Sequence, residues 1–186
     1  MARVLTMNAS NVIPKGQPSR MTCWLTAYEM LFNSGGLAYI TQHDIERRLK
    51  DGGFDVNSSK AGGFSDEDFP AVAKILNTGT LFPGQLYTIG GVAGKLHNYG
   101  VLWLALQIPI DPRKPDGNRY PHIIIVVGVD EERKQVGIIN PWKENPADIP
   151  CITWADWRWF VSSIRYTEGV DAGCQYFKPA VARAGA

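Results

Sequence analysis

Hydrophobic positions follow two regimes along the chain. In the first half they recur at helical spacing. Trp24, Ala27, Tyr28 and Leu31 stand at i, i+3, i+4 and i+7, which predicts a buried helix opened by Cys23, capped by Thr22 and closed near Asn33-Ser34-Gly35-Gly36. Thr41-Gln42-His43-Asp44 has the form of a capping box and predicts a second helix, with Ile45 and Leu49 on its apolar edge and Asp51-Gly52-Gly53 at its end. Ser65-Asp66-Glu67-Asp68 repeats that box ahead of Phe69, Val72, Ala73 and Leu76, where acidic residues suit the first turn of a helix. Asn57 to Gly63 reads as a flexible loop between them, and Val92 to Tyr99 as a short helix carrying His97.

The second half reads as strands. Val101 to Gln107 is a continuous apolar run, consistent with a buried strand. His122 to Val129 is rich in β-branched residues, Asp130 to Lys134 is a turn, and Val136 to Ile139 pairs back, which predicts an antiparallel hairpin closed by Asn140-Pro141-Trp142. Pro109 to Pro121 is a polar connection. Thr153 is expected to cap a short helix presenting Trp154, Trp157 and Phe160, with a last strand over Ser163 to Tyr166. Residues 1–16 read as an extended arm and 180–186 as a frayed tail. A helical N-terminal layer packed on a C-terminal antiparallel sheet is an α+β plan, and 186 residues with 45% hydrophobic content suit one domain over 1–186.

Charge adds little to this picture. A net charge of +1, with no basic cluster, points to neither nucleic acid nor an acidic membrane as a partner. No run approaches the length of a membrane span, and the N-terminus lacks the apolar segment of a cleavable signal, so the expected location is the cytoplasm or the exterior reached without such a signal. Cys23, Cys151 and Cys174 form no C-x-x-C pair, and no His, Cys or acidic cluster has ligand spacing; free thiols, no metal and no cofactor are expected.

Chemistry enters with Cys23. At a helix start, free N–H groups and the dipole favour a thiolate, although a lone Cys on an apolar helix is more often a small buried hydrophobe. His122 begins one strand of the hairpin and Asn140 ends the other, so antiparallel pairing brings both to one sheet edge. There an Asn oxygen can accept from the imidazole and hold its tautomer, as a general base to a thiol requires. His97 is a weaker candidate base because it lacks an orienting partner. His43 reads as a solvated surface residue, Cys151 and Cys174 as incidental, and Trp154, Trp157 and Trp159 as core and cleft wall.

These segments resemble those of papain-like cysteine peptidases. Gln17 stands six residues before Cys23, Cys23-Trp24 opens the central helix, His122 precedes an apolar strand, and Asn140-Pro141-Trp142 resembles the Asn-Ser-Trp of that superfamily. The nearer likeness is to its compact bacterial types, the C39-like peptidases and the AvrRpt2-like effectors. The Cys-Gly-Ser/Ala-Cys-Trp of papain itself is here Arg20-Met21-Thr22-Cys23-Trp24. The resemblance implies a papain-like fold, Cys23 as nucleophile, His122 as base, Asn140 as orienter, Gln17 completing an oxyanion hole, and Trp142 shielding the His–Asn contact. It implies hydrolysis of a peptide or isopeptide bond in a peptide or protein substrate, by a bacterial effector with an inhibitory or immunity partner. A peptidoglycan amidase or endopeptidase using the same residues, and a binding module that keeps the fold without turnover, are the alternatives.

Overall fold

Cys23–Ser34 forms α1, and every residue from Trp24 to Phe32 within it is buried. A helix buried on all sides has to lie between other elements. In the structure, a computed structural model that describes residues 4–6, 11–36, 39–109, 117–142, 150–165, 167 and 170–178, α1 lies between a group of shorter helices and a sheet. The shorter helices are α2 (Gln42–Asp51), α3 (Val56–Gly62) and α4 (Phe69–Leu76, preceded by a 3₁₀ turn over Asp66–Asp68). Both predicted capping boxes form. At α2 the Thr41 hydroxyl accepts from the Asp44 N–H, and the Asp44 carboxylate accepts from the Thr41 N–H.

The strands are β1 (Val4–Thr6), β2 (Gly79–Leu81), β3 (Leu102–Pro109), β4 (Arg119–Asp130), β5 (Gln135–Ile139), β6 (Ile152–Asp156) and β7 (Cys174–Tyr176). They form one antiparallel sheet in the order β2-β7-β3-β4-β5-β6. β1 continues the edge of β4 where β3 stops, opposite Gly128, Val129 and Asp130. Along β4, Ile123, Ile125 and Val127 pack with Trp103 and Ala105 against α1. Ile124, Val126 and Val129 join Leu102, Leu104 and Leu106 in a second core. A register shift between Val126 and Gly128 breaks the alternation, which puts Val127 in one core and Val129 in the other.

The expected α+β plan, a mostly N-terminal helical layer packed on an antiparallel sheet, is what forms, and the second core adds cover on the sheet's other side. The far face of the sheet is covered by α5 (Ile89–Tyr99) and α6 (Trp157–Arg165), through Val92, Leu96, Phe160 and Ile164. Other expectations are corrected locally. Val56–Gly62 is helical because the Asp55 side chain accepts from the Ser58 N–H and caps it, with Val56 and Ser59 buried. Thr153 lies in β6, where the edge of β5 offers a partner, and Asp156 caps α6 by accepting from the N–H groups of Arg158 and Trp159. Trp154 therefore belongs to a strand, and Ser163 to the helix rather than to a last strand. Thr22 precedes α1 without a side-chain cap, its hydroxyl donating to the Ser19 carbonyl. The N-terminal arm is more structured than expected, with β1 in the sheet and Val12 in the core. Tyr166, the tail 180–186 and the middle of the Pro109–Pro121 connection lie outside the described residues.

Candidate active site

Three element ends converge here: the start of α1, the first half of β4 and the residues that follow β5. A cavity of about 540 Å³ opens where they meet, and Cys23, Trp24, His122 and Trp142 all line it. The N–H groups of Ile123, Trp24 and Cys23 itself lie close enough to the Cys23 sulfur to favour a charge on it. Ile123 follows His122 in β4, so the nucleophile candidate and the base candidate sit side by side.

The tautomer of His122 follows from its partner. Asn140 Oδ1 accepts from the Trp142 backbone N–H at 2.9 Å and lies 2.7 Å from His122 Nε2. A backbone N–H can only donate, so the amide atom is the oxygen, and Nε2 has to carry the hydrogen. Nδ1 is left as the basic nitrogen. Predicted strand pairing thus brings His122 and Asn140 together, with Trp142 in the same bond chain, its ring 40% exposed at the cavity.

Gln17 is anchored beside this group without lining the cavity. Its main-chain N–H donates to the Pro141 carbonyl at 2.8 Å. Its Nε2 donates to the carbonyls of Ser19 and Arg20 at 2.7 and 3.0 Å, and Oε1 is buried with no hydrogen-bond partner among the described residues. With one hydrogen on each carbonyl, the amide serves another oxygen only by exchanging one of these bonds.

Electrostatics here depart from the helix-start expectation. Burial pushes the Cys23 thiol above its ordinary 9.0, and the three N–H groups on the sulfur pull it down by less. Burial likewise holds His122 below its ordinary 6.5, against a smaller opposing effect of the Asn140 bond. Both shifts favour the uncharged forms. Desolvation opposes the thiolate that the helix start favours.

Several wall residues escaped the sequence reading. Phe64 stacks on Trp24 with ring centroids 4.7 Å apart, and Gly62 and Gly63, read as flexibility, form wall where α3 ends. Gly63 has φ +102°, a conformation that L side chains rarely adopt, and this calls for glycine; the Met21 Cε that a Cβ would meet at 2.7 Å is the end of a flexible side chain. Tyr120, two residues before His122 on β4, completes the wall beside the thiol. The period-two spacing of Tyr120 and His122 was a usable signal. His43 and His97 are both exposed, on α2 and α5, and Cys174 is buried while Cys151 is exposed. Among the described residues no group of three or more His, Cys, Asp or Glu could hold a metal ion, and no helix is long and apolar enough to cross a membrane.

A cysteine at the head of a buried helix, packed against an antiparallel sheet that supplies a His and an Asn, is the arrangement of papain-like cysteine peptidases. The chain belongs to that class. More narrowly, it belongs to the family described as papain-like cysteine protease AvrRpt2, whose family model matches residues 6–154. The match spans α1, β4, β5 and the Asn140-Pro141-Trp142 segment. No curated protein matches the chain.

Proposed function

We propose that the protein hydrolyses peptide or isopeptide bonds with Cys23 as nucleophile, His122 as general base and acid, Asn140 as its orienter and Gln17 as an oxyanion donor. The bond chain from Trp142 N–H through Asn140 Oδ1 to His122 Nε2 carries the reading, because it leaves Nδ1 to take the thiol proton. Cys23 Sγ attacks the carbonyl carbon as its proton passes to His122. The oxyanion accepts from the Cys23 backbone N–H and, after its bond exchange, from Gln17 Nε2. His122 protonates the departing nitrogen as the C–N bond breaks, leaving a thioester. Water, deprotonated by His122, then releases the acyl group and restores the thiol.

Gly62 and Gly63 present main chain to the cavity without a Cβ, which suits an extended peptide substrate. Trp142, whose main-chain N–H bonds Asn140 and which lines the cavity, is read as the shield of the His–Asn contact. A protease of this kind has to be kept from its own cell's proteins, so we read it as an exported effector held by an inhibitory partner before export. Hydrolysis of fluorescein-labelled casein by the intact chain and by Cys23→Ala tests the chemistry. Turnover should be lost with the thiol, and Gln17→Ala should lower kcat about a hundredfold. Wild-type turnover by Cys23→Ala would sink the proposal. Cleavage of purified sacculi in place of casein would assign the same acyl chemistry to peptidoglycan stems, and binding without turnover would leave a docking module.

A further inference from the structure

Glu29 is a carboxylate in the middle of the helix that carries Cys23, and its side chain is only 3% exposed. A buried charge on the nucleophile's own helix costs free energy unless it is paired, and replacing such a pair with apolar side chains is often neutral for stability. Its partners are therefore informative. Lys15 Nζ donates to Glu29 Oε1 at 2.5 Å, and Tyr39 OH donates to the same oxygen at 3.0 Å. Lys15 also bonds Tyr39. Its main-chain N–H meets Met30 Sδ, the next residue of α1, at 3.4 Å. Lys15 is thus docked on α1 twice.

Two residues later, Gln17 N–H is bonded to Pro141, next to Asn140. The stretch from Lys15 to Gln17 accordingly spans from the middle of α1 to the residue that follows the His122 orienter. Glu29 stands six residues after Cys23, about 9 Å along the helix axis at 1.5 Å per residue. Gln17 has to release a loop carbonyl to reach an oxyanion, and its backbone has to stay fixed while its amide changes partner.

We infer that Lys15 and Glu29 are positioning residues for the oxyanion-binding segment, holding the main chain of residues 15–17 on the Cys23 helix while the Gln17 amide exchanges bonds. The inference rests on the reading of Gln17 as an oxyanion donor. The pair touches no substrate; it acts through Gln17. Removing it lets the Gln17 segment drift and weakens stabilisation of the tetrahedral state, with little effect on ground-state binding.

The test is a double-mutant cycle on fluorescein-casein with the full chain: wild type, Gln17→Ala, Glu29→Gln and the double variant. Glu29→Gln should lower kcat about tenfold at an unchanged KM, and should add nothing once Gln17 is alanine. Lys15→Met/Glu29→Gln, which removes both charges together, should behave as Glu29→Gln does, and covers a single variant that fails to fold. Equal losses in both backgrounds, or no loss with Gln17 intact, would overturn the positioning role while leaving the proposed chemistry standing. A Gln17→Ala enzyme with wild-type kcat would overturn the oxyanion role of Gln17 and the positioning role with it.

Discussion

Replacing Asn140 with alanine removes one acceptor from two donors of unequal exposure. The Trp142 N–H sits beside a residue 40% exposed, so water can replace the lost oxygen there. His122 is 4% exposed, so its Nε2–H is left without a partner. An unsatisfied buried donor costs about 1–3 kcal/mol, and the ring regains freedom to rotate or to move its hydrogen to Nδ1. If about 2 kcal/mol of that appears in the transition state, kcat falls about thirtyfold, since 1.36 kcal/mol is a factor of ten. The pH profile adds a sign. With the imidazole held below 6.5 and the thiol above 9.0, the wild-type bell should have its acid limb below the first value and its alkaline limb above the second. The Asn140 bond works to raise His122, so Asn140→Ala should move the acid limb further down, whereas Asn140→Asp, with a carboxylate beside the ring, should move it up. Initial rates on fluorescein-casein across acid and alkaline pH read both quantities. Both variants shifting the same way, or an alanine variant within about twofold of wild type, would refute the assigned bond and tautomer.

Trp24→Ala should lower the stability read by urea denaturation by about 3–5 kcal/mol, because the ring is fully buried and stacked on Phe64. A loss below about 1 kcal/mol would show that the wall loop does not depend on it. Gly63→Ala, at φ +102° and against Met21, should cost about 1 kcal/mol in the same measurement and raise KM for casein, since the wall must shift. Iodoacetamide on the native protein should label exposed Cys151 and spare Cys174, whose thiol is buried and pushed up to about 12; peptide mapping of native and urea-unfolded samples checks this. Stability should be full above pH 6.5 and should fall as pH drops through the lower folded value of His122, because the unfolded chain takes up that proton first; denaturation midpoints at successive pH values test the sign.

How far the sequence could be read depended on whether a feature was local. Cys23 at a helix start, the capping box at Thr41 and the hairpin that unites His122 with Asn140 each follow from a few adjacent residues and one pairing rule, and each appears in the structure. Thr153 was the expected cap, yet Asp156 caps the helix. What decided between them was the free edge of β5, where Val136 pairs with Ala155 and Ile139 with Ile152, a partner visible only once the sheet exists. The cavity wall fails to show in the sequence for the same reason. Phe64 and Trp24 lie far apart in the chain and meet only because α3 is capped by Asp55 and turns the Gly62-Gly63 pair back over α1.

Burial works against the thiolate expectation at the same boundary, and that bears on mechanism. Backbone N–H groups of Ile123 on β4 and of the helix start favour a charge on the Cys23 sulfur, yet the packing that buries the thiol among aromatic rings also removes the water that would stabilise it. Desolvation acts on both members of the pair in opposite directions, raising the thiol and lowering the imidazole, so burial works against a resting ion pair. A proton that moves during attack makes the single basic nitrogen left by the Asn140 bond more consequential than it would be for a preformed ion pair. The same dryness strengthens each hydrogen bond that receives the developing charge, including any that Gln17 supplies. A site built this way gains little from the helix dipole at rest and depends on geometry at the moment of reaction. That is why residues which only hold the main chain in place, such as Lys15 and Glu29, should show their effect in kcat.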